Sequence, residues 1–153
     1  MSLRERITTY SKGDNLIRFW RLFRKREQVK GRLSKHILTF RLNRMAHRHG
    51  GYVGNGAVIH DPPILPHGLH GIYISRYATI GADCWIYQNV TIGEVARVAP
   101  QVGDRCLIGA GAVLVGDIKI GNDVKIGAGA VVSFDVPDHC TVVAQPARII
   151  GKE

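Results

Sequence analysis

Between positions 74 and 136 apolar residues return every six places. Ile74, Ile80, Ile86 and Ile92 lead one run, and Val102, Ile108, Leu114, Ile120, Ile126 and Val132 lead the next. The single irregular interval, 92 to 102, is six plus four inserted residues. Small or branched residues stand four places after the leaders, among them Ala78, Cys84, Cys106, Ala112, Val124 and Ala130. Glycine follows the leader directly at 81, 93, 103, 109, 121 and 127. An amphipathic helix has a period of 3.6 and a half-buried strand a period of two. A fixed short repeat instead predicts a parallel β-helix, in which each hexad supplies one short strand and a turn and successive coils stack. With three hexads to a coil, residues eighteen apart lie one above another. Ile108-Gly109-Ala110-Gly111-Ala112 and Ile126-Gly127-Ala128-Gly129-Ala130 form such a pair. Tight turns call for glycine in any case, but the matched copies favour a narrow edge whose backbone polar groups are open to a long thin ligand.

Upstream the period changes. From about 14 to 49 it is helical, with Leu16, Ile17, Phe19, Trp20, Leu22 and Phe23 in one stretch and Leu33, Ile37, Leu38, Phe40, Leu42 and Met45 in another. Gly13-Asp14 and Gly31 punctuate them. The pattern predicts two helices in an N-terminal segment, 1–49, that cap the open end of the solenoid. Gly50-Gly51 closes the segment, and Val53 and Ile59 begin the beat. Residues 60–71 contain three prolines and two glycines, which predicts a projecting loop. Residues 93–101 form a second interruption. The coils are expected to end near Val136-Pro137, within a solenoid domain of 50–145, followed by a tail of 146–153.

Charge divides the chain in the same place. Residues 1–49 hold 14 lysines and arginines against three acids, while 50–153 hold seven against nine, giving the net +9 of the whole. A basic segment on a near-neutral solenoid points to an anionic partner: a membrane surface, an acidic glycan or nucleic acid. No nucleic-acid motif accompanies the charge. Aromatic residues beside arginines make peripheral contact with the inner membrane face the additional expectation for 1–49. The 153 residues and 45% hydrophobic content fit one domain. No apolar run approaches about 20 residues, and the charged start lacks the form of a secretory leader. Cys84 and Cys106 fall on the inward beat and read as small core residues; with Cys140, outside the clean repeat, they fit a reduced, cytoplasmic protein.

Four runs carry a family likeness: Leu65-Pro66-His67-Gly68 with Gly71-Ile72-Tyr73-Ile74; Val90-Thr91-Ile92-Gly93; Ile108-Gly109-Ala110-Gly111-Ala112; and Pro146-Ala147-Arg148-Ile149-Ile150-Gly151. Over about residues 50 to 152 the chain resembles the hexapeptide-repeat acyltransferases, whose fold is a left-handed β-helix, and most resembles their serine acetyltransferase-like branch. The resemblance implies acetyl transfer from acetyl-CoA to a hydroxyl or amine, a homotrimer with active sites between neighbouring solenoids, and no metal. It also implies a histidine general base. An alcohol is a poor nucleophile at pH 7, and neutral imidazole suits the removal of its proton. His67 is the expected base. His70 is the next candidate and otherwise lines the acceptor site, where Asp61 is placed as a group that could orient His67. Gly109, Ala110, Ala128 and Gly129 are expected to face the pantetheine arm. Arg148 and Lys152 are expected to pair with the coenzyme phosphates, unless the tail is simply solvated. His36, His47 and His49 read as bystanders, and His60 and His139 carry no assignment.

Three departures from serine acetyltransferases shape the acceptor reading. Pro66 stands where an acid precedes the catalytic histidine, Ala99 stands where a second histidine follows the VTIG run, and the helical segment is short. Together they favour a sugar or polysaccharide-precursor hydroxyl, as in polysaccharide biosynthesis, with serine O-acetylation in cysteine biosynthesis as the alternative. A noncatalytic or metal-binding β-helix of the carbonic anhydrase-like kind is the third reading. Coils 74–136 contain no histidine to supply its ligands.

Overall fold

The structure is a computed structural model that describes residues 16–145. Two helices, α1 (Ile17–Gln28) and α2 (Arg32–Arg48), precede thirteen short strands among the described residues. The strands form a parallel β-solenoid of about four turns. Its first sheet stacks β1 (Tyr52–Val53), β3 (Tyr73–Ile74), β6 (Thr91–Gly93), β9 (Val113–Val115) and β12 (Val131–Val132). The second stacks β2 (Val58–Ile59), β4 (Thr79–Ile80), β7 (Gln101–Val102) and β10 (Lys119–Ile120). The third stacks β5 (Trp85–Ile86), β8 (Leu107–Ile108), β11 (Lys125–Ile126) and β13 (Thr141–Val142).

The hexad accounts for this geometry. A strand of two or three residues points one side chain out and the leader in, and four residues turn the corner. Ile74, Ile80, Ile86, Ile92, Ile108, Leu114 and Ile126 are completely buried, each burial contributing about 1.5–3 kcal/mol. Each leader sits on its counterpart in the next coil, as Ile108 on Ile126 and Ile74 on Ile92. The inserted residues leave the solenoid without disturbing register. Residues 94–100 bulge out around a Val95–Val98 bridge, yet β7 still pairs with β4 through Ile80 and Val102.

The expected end of the coils at Val136-Pro137 is corrected. Val136 pairs with Ile120, and β13 continues the third sheet with Val142 on Ile126, both sixteen apart. The last coil is two residues short, which takes it off the six-residue beat without breaking the stack.

One corner is built from side chains. Asp83, Arg105 and Asp123 take left-handed φ of 54°, 55° and 56° between the second and third sheets. Beside them the N–H of Ala82 donates to Asp104 Oδ1 (2.8 Å), that of Asp104 to Asn122 Oδ1 (2.9 Å), and that of Asn122 to Asp138 Oδ1 (2.8 Å). The thiols of Cys84 and Cys106 donate to the carbonyls of Gly103 (3.2 Å) and Gly121 (3.1 Å) on the next coil. The Cys84 thiol is pushed far above its ordinary pKa, first by its hydrogen bond with Cys106 and then by burial.

At the other end the helical hairpin closes the barrel mouth. Leu16, Phe19, Trp20, Phe23, Leu42 and Ala46 belong to the same buried cluster as Val53, Leu69 and Ile72. On α2 the inward residues are Leu38, Leu42 and Ala46, four apart. Leu33, Ile37 and Phe40, which also carried the helical pattern, lie exposed. Among the described residues no helix is long and apolar enough to cross a membrane.

Candidate functional site

The corner between the third and first sheets differs from the others in having small residues and an open backbone. Its turns are tied into one column. The N–H of Gly71 donates to Gly50 O (3.0 Å), that of Asn89 to His70 O (2.9 Å), that of Gly111 to Gln88 O (3.0 Å), and that of Gly129 to Ala110 O (2.9 Å). Gly71, Asn89, Gly111 and Gly129 all take left-handed φ, between 59° and 68°, the conformation glycine adopts at least cost and asparagine tolerates. The two glycine–alanine runs therefore do lie on one edge, as the eighteen-residue spacing requires.

The edge is not uniform. A Cβ at Gly111 or Gly129 would meet nothing within 4 Å, so both border open space. A Cβ at Gly109 would stand 2.6 Å from the backbone nitrogen of Ala128. Gly109 is thus buried between coils and lets them approach, and the outward positions are Ala110, Gly111, Ala128 and Gly129. Among the described residues the N–H groups of Ala110 and Ala128 find no acceptor, leaving two donors on the edge.

His67 and His70 both reach this corner. The loop that carries them leaves the solenoid after Ile64, which pairs with Trp85, and returns at β3. Its centre is pinned by Leu69, wholly buried in the core, and by turns in which Gly68 N–H donates to Leu65 O (3.1 Å) and Ile72 N–H to Leu69 O (3.0 Å). The exposed His67 ring lies 6.1 Å from the ring of Tyr87, the residue preceding Gln88 in the column. Among the described residues the His67 imidazole makes no hydrogen bond or ion pair. His70 contributes its carbonyl to the column, and its Nδ1 lies 4.0 Å from where a Gly50 Cβ would stand.

Asp61 does not join this group. Its carboxylate pairs with Arg24 of α1 at 3.1 Å, so α1, rather than His67, is its partner. Arg148 and Lys152 lie outside the described residues. Sequence reasoning passed over Tyr87 and Gln88. Gln88 stands 22 residues before Ala110, eighteen plus the four inserted after 92, and allowance for the insertion would have placed it on the edge. Its Oε1 is buried with no hydrogen-bond partner.

Residues 99–133 match the Hexapep family, bacterial transferase hexapeptide (six repeats). The chain is similar to the serine acetyltransferase of Synechococcus elongatus, 38% identical over 133 residues that cover 84% of this chain and 51% of that protein. It is also similar to that of Staphylococcus epidermidis, 35% identical over 159 residues covering 97% and 70%. Among solved structures, Neisseria gonorrhoeae serine acetyltransferase in complex with serine superposes with a TM-score of 0.74 at 32% identity, over 86% of this chain and 55% of that one. The chain spans about half the length of the Synechococcus relative.

These likenesses overturn the carbohydrate acceptor and with it polysaccharide biosynthesis. That reading leaned on Pro66, on Ala99 and on the short helical segment, and the structure puts the two single residues in the loops that interrupt the hexads. Ala99 is packed inward at 3% exposure, so its exchange reshapes a loop and leaves the stacked edge intact; loops vary among relatives more than the elements they join. A likeness that runs along nearly the whole sequence outweighs these three departures: the chain belongs to the hexapeptide-repeat transferases, within the serine acetyltransferase family.

Proposed function

We propose that this protein transfers the acetyl group of acetyl-CoA to the hydroxyl of serine, with His67 as general base. The carrying observation is the column in which His67 meets Tyr87 and the Ala110 and Ala128 edges stack on the same corner. The likeness to serine acetyltransferases supplies donor and acceptor.

In this reading the pantetheine arm lies along Ala110, Gly111, Ala128 and Gly129, and the free N–H groups of Ala110 and Ala128 meet its carbonyls. The His67 imidazole takes the serine hydroxyl proton as the oxygen attacks the thioester carbon. The tetrahedral intermediate collapses, the carbon–sulfur bond breaks, and the proton passes from the imidazolium to the departing thiolate. The products are O-acetylserine and coenzyme A, and no metal enters. Arg148 and Lys152 are assigned to the coenzyme phosphates and His70 to the acceptor side. Asp61, held by Arg24, shapes the loop at a distance.

The active unit is a homotrimer with the edge of one solenoid facing the next. Support comes from outward-pointing Tyr73, Trp85 and Val131, apolar side chains left exposed on a single chain. A cytoplasmic setting goes with the donor and with three unpaired cysteines.

The test is release of free thiol from acetyl-CoA when serine is added. His67→Ala is expected to lower kcat by about 10²-fold or more while the circular dichroism of the solenoid is unchanged. No thiol release with serine overturns the acceptor assignment. Near-normal turnover in His67→Ala, with loss in His70→Ala, moves the base to His70.

A further inference from the structure

Helix α2 has two working faces. One, through Leu38, Leu42 and Ala46, is buried in the molecule. The opposite one carries Leu33, Ile37, Phe40, Arg44 and Arg48, spaced three or four residues apart and hence aligned along the helix. Its first half is apolar and open to solvent: Leu33 is 74%, Ile37 51% and Phe40 68% exposed. Its second half is cationic. Arg41, Arg44 and Arg48 meet Arg18 of α1 around a cavity of about 380 Å³ bounded by Phe40. Glu27 is the only acid in the two helices, against ten lysines and arginines.

We propose that this face docks on the surface of an anionic phospholipid bilayer. The helix lies flat, Leu33, Ile37 and Phe40 enter the acyl boundary, and the arginines keep their heads among the phosphates while their stems cover apolar surface. At 17 residues, α2 offers a contact about 25 Å long. The charge decides between occupants. A second copy seated on this face could cover the apolar half but, carrying no acid on the same face, would leave the arginines uncompensated. A free phosphate ligand would leave the three apolar side chains in water. A headgroup layer answers both halves at once. The inference stands apart from acetyl transfer, since none of these residues touches the catalytic corner.

The test is sedimentation of the full chain with phosphatidylcholine vesicles, with and without phosphatidylglycerol. Partition is expected to be at least ~10-fold higher on the anionic vesicles and to fall as salt rises, because polybasic attraction is screened beyond about 10 Å at 0.1 M salt. Arg41→Gln, Arg44→Gln and Arg48→Gln combined should abolish the anionic preference. Leu33→Ser with Phe40→Ser should lower partition at every salt concentration. All these positions are exposed, so helical content and thiol release should match the parent. Equal partition on both vesicle types, no partition on either, or unchanged partition in both variants would overturn the proposal. So would retention on RNA without vesicle binding at the same salt, or a doubled mass in solution that Phe40→Ser abolishes.

Discussion

Gly109 and Gly129 stand at the first and third places of neighbouring turns on one edge and do opposite things. At Gly109 a methyl group would stand 2.6 Å from a backbone nitrogen, so Gly109→Ala is expected to cost about 1–3 kcal/mol or more through overpacking. At Gly129 the space is open and only the φ of 67° resists, so Gly129→Ala should cost about 1–2 kcal/mol and show itself mainly as a raised KM for acetyl-CoA. Urea denaturation and thiol-release kinetics separate the two; equal stability losses would overturn the assignment of spacer and edge. The place of the open edge could be read in advance because its residues repeat at a fixed distance, but not which glycines face out: Gly109, expected toward the pantetheine, is buried, and Gly111 is open instead. Gln88 could not be placed so simply, because the four residues inserted after Ile92 displace it from that count. The partner of Asp61 was hidden for another reason: Arg24 lies 37 residues away on a helix whose docking no repeat encodes.

Coils stay in line partly through pairs that span them. Arg105 grips Asp123 with two hydrogen bonds, 2.8 and 2.7 Å, one coil apart. Those bonds hold the Asp123 carboxyl below its ordinary pKa, with the Arg105 charge adding to them. A depressed acid contributes stability above its unfolded pKa, about 4, and the contribution fades as pH falls through the folded value. Asp123→Asn should therefore unfold at lower urea than the parent near neutral pH, and the gap should close on acidification. A gap that widens in acid would show that the pair does not act this way. At this scale the hexads foretold nearly every strand. The last coil escaped because it is sixteen residues long. The orientation of α2 escaped because apolar residues occur on two of its faces, so periodicity alone does not say which one is buried.

The whole molecule combines a near-neutral solenoid with a basic lid over one mouth. Its outer walls keep Tyr73, Trp85 and Val131 in contact with water, and sedimentation equilibrium is expected to give three copies per particle. Trp85→Lys with Val131→Lys should lower that mass to a single chain; an unchanged mass would place the subunit contact elsewhere. Period, length and charge were enough to anticipate the architecture, whereas the acceptor was misread from two loop residues and the length of the helical segment, none of which belongs to the stacked hexads. Stacked coils climb about 4.8 Å at a time, and Gln88, Ala110 and Ala128 occupy successive levels of one corner. The bench on which a donor would rest is thus laid in courses, like brickwork. Removing one eighteen-residue course would shorten it by a whole step, and no exchange of side chains could restore the missing height.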